Sequence, residues 1–215
     1  MVYAEVSPER ICLPPGTVLR TPGTWQDYQA LVERLGDRQL PRIKYRPGEI
    51  LFMSPLPVHG RDAHLIARVV MELLDHQALE YEAFTPITMD LPEERGVEPD
   101  YCFYVDNWAA VAGKERIDWV NDPPPDLVIE IDVTSYTSLD DYLPYRVPEV
   151  WLFKRRRLTI YRFGDGGYRA VEESRFFPEL AVHELVLETM RMAGERNTSW
   201  AVRSLRRRLT RGSWD

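Results

Sequence analysis

The residues best placed to do chemistry lie in Asp126–Val133, DLVIEIDV. Strand side chains alternate, so Val128, Glu130 and Asp132 share one face, while Leu127, Ile129, Ile131 and Val133 share the other. The two carboxylates then stand roughly 6.5–7 Å apart along the strand. So apolar a run predicts a central strand covered on both sides. Burying two like charges there costs on the order of several kcal/mol unless they are protonated or bound to a cation. A hard divalent cation with oxygen ligands meets that need. The other reading is a solvated face on which Glu130 and Asp132 pair with arginines. A third acid, Asp100, opens another strand in Glu98-Pro99-Asp100 and lies beside Glu130 if the two strands pair. The connection over 106–125 is long enough for a helical crossover. Asp126 reads as a turn residue rather than a ligand.

The elements that must position these acids follow from periodicity and punctuation. Residues 1–23, with Pro8, Pro14, Pro15 and Pro22, read as an extended N-terminal arm, and 24–215 as one domain. Thr24 is a good cap for a helix over 25–35 that stops at Gly36. Strands are predicted at 42–46 and 49–54 around a Pro47-Gly48 turn. Leu65, Ile66, Val69, Val70, Leu73 and Leu74 repeat at helical spacing, which predicts a helix over 60–77 with one stripe packed on a sheet. Short strands at 80–84, 86–91 and 100–105 and a helical stretch at 107–113 lead to Pro123-Pro124-Pro125, which can sit in neither a helix nor a central strand. Strands at 149–154, 157–163 and 168–171 and helices at 183–194 and 197–209 close the chain. This pattern is α/β (α+β): a mixed central β-sheet flanked by helices.

Bulk properties narrow the class. The 215 residues are 44% hydrophobic and 28% charged, as in an ordinary globular domain. No apolar run reaches a membrane span's length, and the N-terminus lacks the pattern of a secretory signal. Cys12 and Cys102 are too few for a disulfide framework or a zinc site. The expectation is a reduced, cytoplasmic protein without a small-molecule cofactor; a homodimer stays open. A net charge of −7 argues against a general polyanion binder. Two basic clusters stand against that background: Lys154 with Arg155, Arg156 and Arg157, and Arg203, Arg206, Arg207, Arg208 and Arg211. Each is either a phosphate-binding patch or a solvated face.

Several segments together carry a resemblance: TWQDYQALVE at 24–33, PGEILFMSPLPVHG at 47–60, GVEPDYCFYV at 96–105, DPPPDLVIEIDVTS at 122–135 and RVPEVWLF at 146–153. In that order they resemble the putative restriction endonuclease family known as the Uma-two type endonucleases, of the PD-(D/E)XK nuclease superfamily. The resemblance implies a restriction-endonuclease-like core, with Asp100 as first acid, Glu130 as second and Asp132 beside them. Mg2+ or Mn2+ held there would activate water for hydrolysis of DNA. Glu49, in the family's G-E-I segment, would complete the metal shell or pair with a surface arginine. His59 would contact phosphate or cap the helix beginning near Gly60, and the arginines at 155–157 would contact the DNA backbone.

One feature departs from the pattern. Where the superfamily has a lysine two residues after the second acid, this chain has Asp132; where family members supply one from the helix before V-P-E-x-W, it has Ser138. No lysine lies between Lys114 and Lys154, which leaves Lys154 or Arg146 to substitute. Two functions follow: a slow metal-dependent endonuclease, or a nuclease-fold protein that has lost cleavage and binds nucleic acid or a protein partner.

Overall fold

The computed structural model describes residues 13–36, 41–85, 87–132 and 137–211. Cys12 lies outside the described residues. The expected α/β (α+β) architecture with a mixed sheet flanked by helices is present, together with a second, antiparallel sheet. The first contains β1 (Val18–Pro22), β2 (Arg42–Arg46), β3 (Glu49–Met53), β5 (Met89–Leu91) and β6 (Arg95–Val97), in the order β1-β3-β2-β6-β5 and antiparallel throughout. The second contains β4 (Glu82–Phe84), β7 (Tyr101–Tyr104), β8 (Leu127–Asp132), β9 (Glu149–Lys154), β10 (Arg157–Gly164) and β11 (Gly167–Val171), in the order β11-β10-β9-β8-β7-β4. Its β8–β9 pair is parallel and the other pairs are antiparallel, so this sheet is the mixed one.

The extended arm contributes a strand. β1 pairs along the whole of β3 as an edge, and Pro22 ends it where a missing N–H costs no ladder bond. A short β5–β6 hairpin occupies a stretch read only as strand 86–91 and loop. Gly96 in β6 is needed there, because a Cβ at that position would lie 2.4 Å from the Tyr28 ring.

Helix α1 (Trp25–Leu35) starts at Thr24, whose hydroxyl accepts from the Asp27 N–H while the Asp27 carboxylate accepts from the Thr24 N–H, a reciprocal cap. It packs Trp25, Tyr28 and Leu35 on Ile43, Tyr45, Ile50 and Phe52 of the first sheet. Helix α2 (Pro57–His76) begins at Pro57, earlier than Gly60, since proline suits a first helical position. Its stripe Ile66, Val69, Val70 and Leu73 covers Leu127, Ile129 and Ile131 of β8. Each such fully buried side chain contributes roughly 1.5–3 kcal/mol. Helices α4 (Val182–Glu195) and α5 (Thr198–Arg211) close over the same side, and Arg206 of α5 grips Glu72 of α2 with two bonds of 2.5 and 2.8 Å. A short helix, α3 (Trp108–Val111), precedes the triproline loop. No described helix is long and apolar enough to cross a membrane.

β8 is thus central, and all six of its residues are buried. Its odd-numbered side chains meet α2. The even-numbered ones face the other way, where Val128 packs with Val150, Tyr142, Tyr145, Met89 and Val97.

Candidate functional site

Asp100 immediately precedes β7, and the register Tyr101↔Ile129 sets it beside Glu130. The pairing is antiparallel, so the 106–125 connection returns the chain without a parallel crossover. Asp100 Oδ2 accepts the Ile131 N–H at 2.8 Å, which ties the first acid to the strand carrying the second.

Neither carboxylate is without a cationic partner. Asp100 Oδ1 accepts from Arg42 and from His59 Nε2, the latter at 2.7 Å. Glu130 Oε1 accepts from Lys44 Nζ at 3.0 Å and from the Tyr142 hydroxyl. The Lys44 and Glu130 side chains are each 4% exposed and Asp100 is 1% exposed. A third pair continues the row: Arg46 holds Asp141 with bonds of 2.7 and 2.8 Å, and Arg95 lies 3.8 Å from the same acid. The cause is visible in RIKYR. In β2, Ile43 and Tyr45 face α1, while Arg42, Lys44 and Arg46 alternate onto the opposite face. The basic face of the first sheet meets the acidic face of the second.

Electrostatics favour the charged form at Asp100 and Lys44 and oppose it at Glu130. Burial pushes the Asp100 carboxyl up, but His59, Arg42 and the Ile131 amide outweigh it, and the net shift is downward. Burial dominates at Glu130 and raises it despite Lys44, because Asp100 adds a like charge. Burial opposes the charge on Lys44, yet Glu130 and Asp141 together hold its affinity for the proton above the ordinary value. Burial raises Glu98, beside this row, to about 7, with Arg42 and Lys44 resisting.

Of the other residues singled out in the sequence, His59 joins Asp100 and the rest go elsewhere. Asp132 shares the Glu130 face but is level with Lys154 on β9 and accepts from it at 2.8 Å. Glu49 lies 3.9 Å from Arg20, the surface-arginine alternative. His59 falls inside the first turn of α2, whose cap residue is Leu56, so it is no helix cap; its ring bonds Asp100 instead. Asp126 accepts from Val105 N, Asn107 N and Asn107 Nδ2, as a turn residue should. Ser138 accepts from the Asp140 N–H at a short 3-10 turn, and Arg146 is exposed. Arg155, Arg156 and Arg157 are exposed at the β9–β10 turn and make no ion pair with a described residue. Arg155 and Arg156 hold φ of +50° and +62°, a left-handed conformation that costs a non-glycine residue roughly 1–2 kcal/mol. The second basic cluster is split, since Arg206 is committed to Glu72.

Arg42, Lys44, Arg46, Tyr142 and Asp141 were not foreseen from the sequence. The period-two cations of RIKYR were the available signal for the first three; nothing marked Tyr142 or Asp141.

A divalent cation does not fit this donor set. Both lone pairs of Asp100 Oδ1 and of Glu130 Oε1 are taken by donors, and fixed positive charge already matches the acids. Among the described residues no group of three or more His, Cys, Asp or Glu is arranged to hold a metal ion.

Comparison with known proteins finds a match to the family described as Uma2, putative restriction endonuclease, over residues 25–193. Among solved structures, a putative nuclease belonging to DUF820 from Anabaena variabilis ATCC 29413 is similar, with a TM-score of 0.56 and 17% identity over 84% of this chain and 99% of that one. At that identity the likeness speaks for the fold. No curated protein matches the sequence.

Proposed function

The chain belongs to the Uma2 family of putative restriction endonucleases, and from that premise we propose that it binds DNA on a nuclease fold whose acid site is neutralised from within, so that metal-dependent cleavage is silent. The observation that carries this reading is the buried row Arg42–Asp100, Lys44–Glu130 and Arg46–Asp141. Hydrolysis of a phosphodiester by this superfamily's chemistry needs carboxylates free to hold a cation. Here they are spent on side chains of the same molecule, and removing either partner would strand a buried charge.

The DNA surface is the β9–β10 turn. Lys154 stands level with Asp132, and Arg155 and Arg156 continue past the end of β8, roughly 10 Å along the strand direction from the level of Glu130. Three exposed guanidinium groups with no internal acid suit phosphate oxygens, which they can grip bidentately. Family membership makes DNA the polyanion of choice. The test is DNA binding by gel shift in EDTA and in Mg2+, beside plasmid cleavage in Mg2+ and Mn2+. Binding indifferent to EDTA with no nicking supports the reading; nicking by wild type that Glu130→Gln abolishes overturns it.

A second reading, an active metal-dependent endonuclease, has one observation in its favour. Lys44 Nζ at 3.0 Å from Glu130 supplies, from another strand, the positive charge missing at Asp132 and Ser138. On that reading Asp100 and Glu130 hold Mg2+ or Mn2+, and Lys44→Met loses cleavage by about 10²–10³.

A further inference from the structure

We infer that the cavity between the β4–β5 segment and the loop over 114–119 holds a guanine nucleotide, with Asp90 reading the base and Arg116 taking the phosphate. The inference goes beyond the DNA reading and stands on the cavity's own side chains.

The cavity measures about 470 Å3, within the range of small-molecule sites. Phe84, Ile87 and Trp119 supply its apolar wall. Both aromatic rings are half-buried, and each is held by a buried tyrosine in a T-shaped contact: Phe84 by Tyr104 at 5.8 Å and Trp119 by Tyr145 at 6.5 Å. Rings fixed in this way suit a flat ligand body, because stacking on them costs little side-chain freedom.

Asp90 makes the site selective. Its Oδ1 accepts from the Tyr28 hydroxyl at 2.6 Å, and no described residue donates to Oδ2. Burial raises the Asp90 carboxyl and the Tyr28 bond only partly resists, so a further donor from a ligand stabilises the charged form. Guanine sets two N–H donors side by side, N1–H and N2–H, and a carboxylate can accept such a pair bidentately. At the rim, Lys114 is spent on Asp122 at 2.6 Å. Arg116 is exposed and makes no ion pair with a described residue, which leaves its guanidinium for a phosphate. Glu115 lines the same cavity and opposes a longer polyphosphate, so a monophosphate fits best.

Two sources carry this chemistry, a free nucleotide and a base swung out of nucleic acid. Phe84 lies three strands and four residues from the level of Lys154, roughly 20 Å, so the cavity is separable from the β9–β10 turn.

The experiment titrates the full chain by calorimetry with guanosine monophosphate, uridine monophosphate, guanosine triphosphate and guanosine. Guanosine monophosphate is expected to bind saturably, about tenfold or more tighter than the uridine nucleotide, and tighter than the triphosphate or the nucleoside. Asp90→Asn keeps an acceptor for Tyr28 but turns a donor toward the base, and should erase the preference over uridine. Trp119→Ala should weaken every nucleotide about tenfold. Arg116→Ala should leave guanosine unchanged and bring its monophosphate down to the same affinity. If Asp90→Asn fails to fold, exposed Arg116 decides by that comparison. Absence of binding, equal affinity for the guanine and uridine nucleotides, or binding that survives Asp90→Asn and Arg116→Ala alike overturns the inference. A single-stranded oligonucleotide with one guanine among thymines then separates the sources. Displacement of bound nucleotide by the strand but not by its duplex assigns the base to nucleic acid, and displacement by neither assigns a free nucleotide. Equal displacement by the duplex overturns the inference, since a paired guanine has no free N1–H. Charge reversal at Arg155, Arg156 and Arg157 should leave nucleotide affinity unchanged, so failure of the DNA reading is told apart from failure of this one.

Discussion

Two stretches of this chain are rich in basic residues, and the fold uses them in opposite ways. In Arg42-Ile43-Lys44-Tyr45-Arg46 the cations alternate with apolar residues, so a strand turns all three to one side, where Asp100, Glu130 and Asp141 receive them. In Lys154-Arg155-Arg156-Arg157 they are contiguous, and a two-residue hairpin turn holds the middle pair in solvent with left-handed backbone and no acid partner. Alternation buries charge against charge. Contiguity displays it. Spacing of the cations, more than their number, therefore separates an internal counter-ion from a surface for a polyanion.

The largest expected effect tests the buried side. Glu130→Ala leaves Lys44 without its acid, and Asp100→Ala leaves Arg42 and His59 without theirs; each should cost about 3–5 kcal/mol in a urea titration. Replacing both partners, Lys44→Met with Glu130→Leu, should recover most of that loss. Single variants that cost under about 1 kcal/mol would mean that the row is solvated, and the contrast would collapse.

Charge reversal of Arg155, Arg156 and Arg157 to Glu probes the exposed side. Stability should stay within about 0.5 kcal/mol. DNA affinity should fall about tenfold or more, and the log–log salt slope should flatten by up to about 2.7. Unchanged binding and slope would make this turn mere surface.

A pH titration sharpens the buried side further. A carboxyl whose pKa rises on folding binds its proton more tightly in the folded state. Glu98 should therefore cost stability progressively as pH climbs from its ordinary value of 4.5 to about 7, and no more above that. Asp100, shifted downward, acts oppositely: its contribution is present above its ordinary value of 3.8 and disappears as pH falls below it. Glu98→Gln should remove the decline between pH 4.5 and 7 in denaturation midpoints, and a decline that survives must be assigned to another group.

The smallest expected effect concerns turn chemistry. Asn-Gly suits left-handed φ at both central positions, where arginine does not. Arg155→Asn with Arg156→Gly should stabilise the protein by about 1 kcal/mol while weakening DNA binding. A variant that gains stability and keeps its affinity would show that the strained arginines serve no ligand.

Much of the frame was legible in the amino-acid order. Thr24 with Asp27, the apolar stripe of α2, the Pro47-Gly48 turn and the alternation of β8 are local patterns whose physics acts within a few residues. The order of residues also set Asp100 beside Glu130 once strands at 101–104 and 127–132 were granted, because register follows from which faces are apolar. β1 was hidden by Pro22 and the prolines ahead of it, and the β5–β6 hairpin by its three-residue strands, too short for a period to register. What only the tertiary structure decided was the company those acids keep. Lys44 is 86 residues from Glu130, Arg42 58 from Asp100 and Arg46 95 from Asp141. Periodicity tells which face of a strand is charged, but not which other face it will meet. That choice comes from the packing of one whole sheet upon another, where a cation and a carboxylate distant in the chain are driven together because neither can be buried alone.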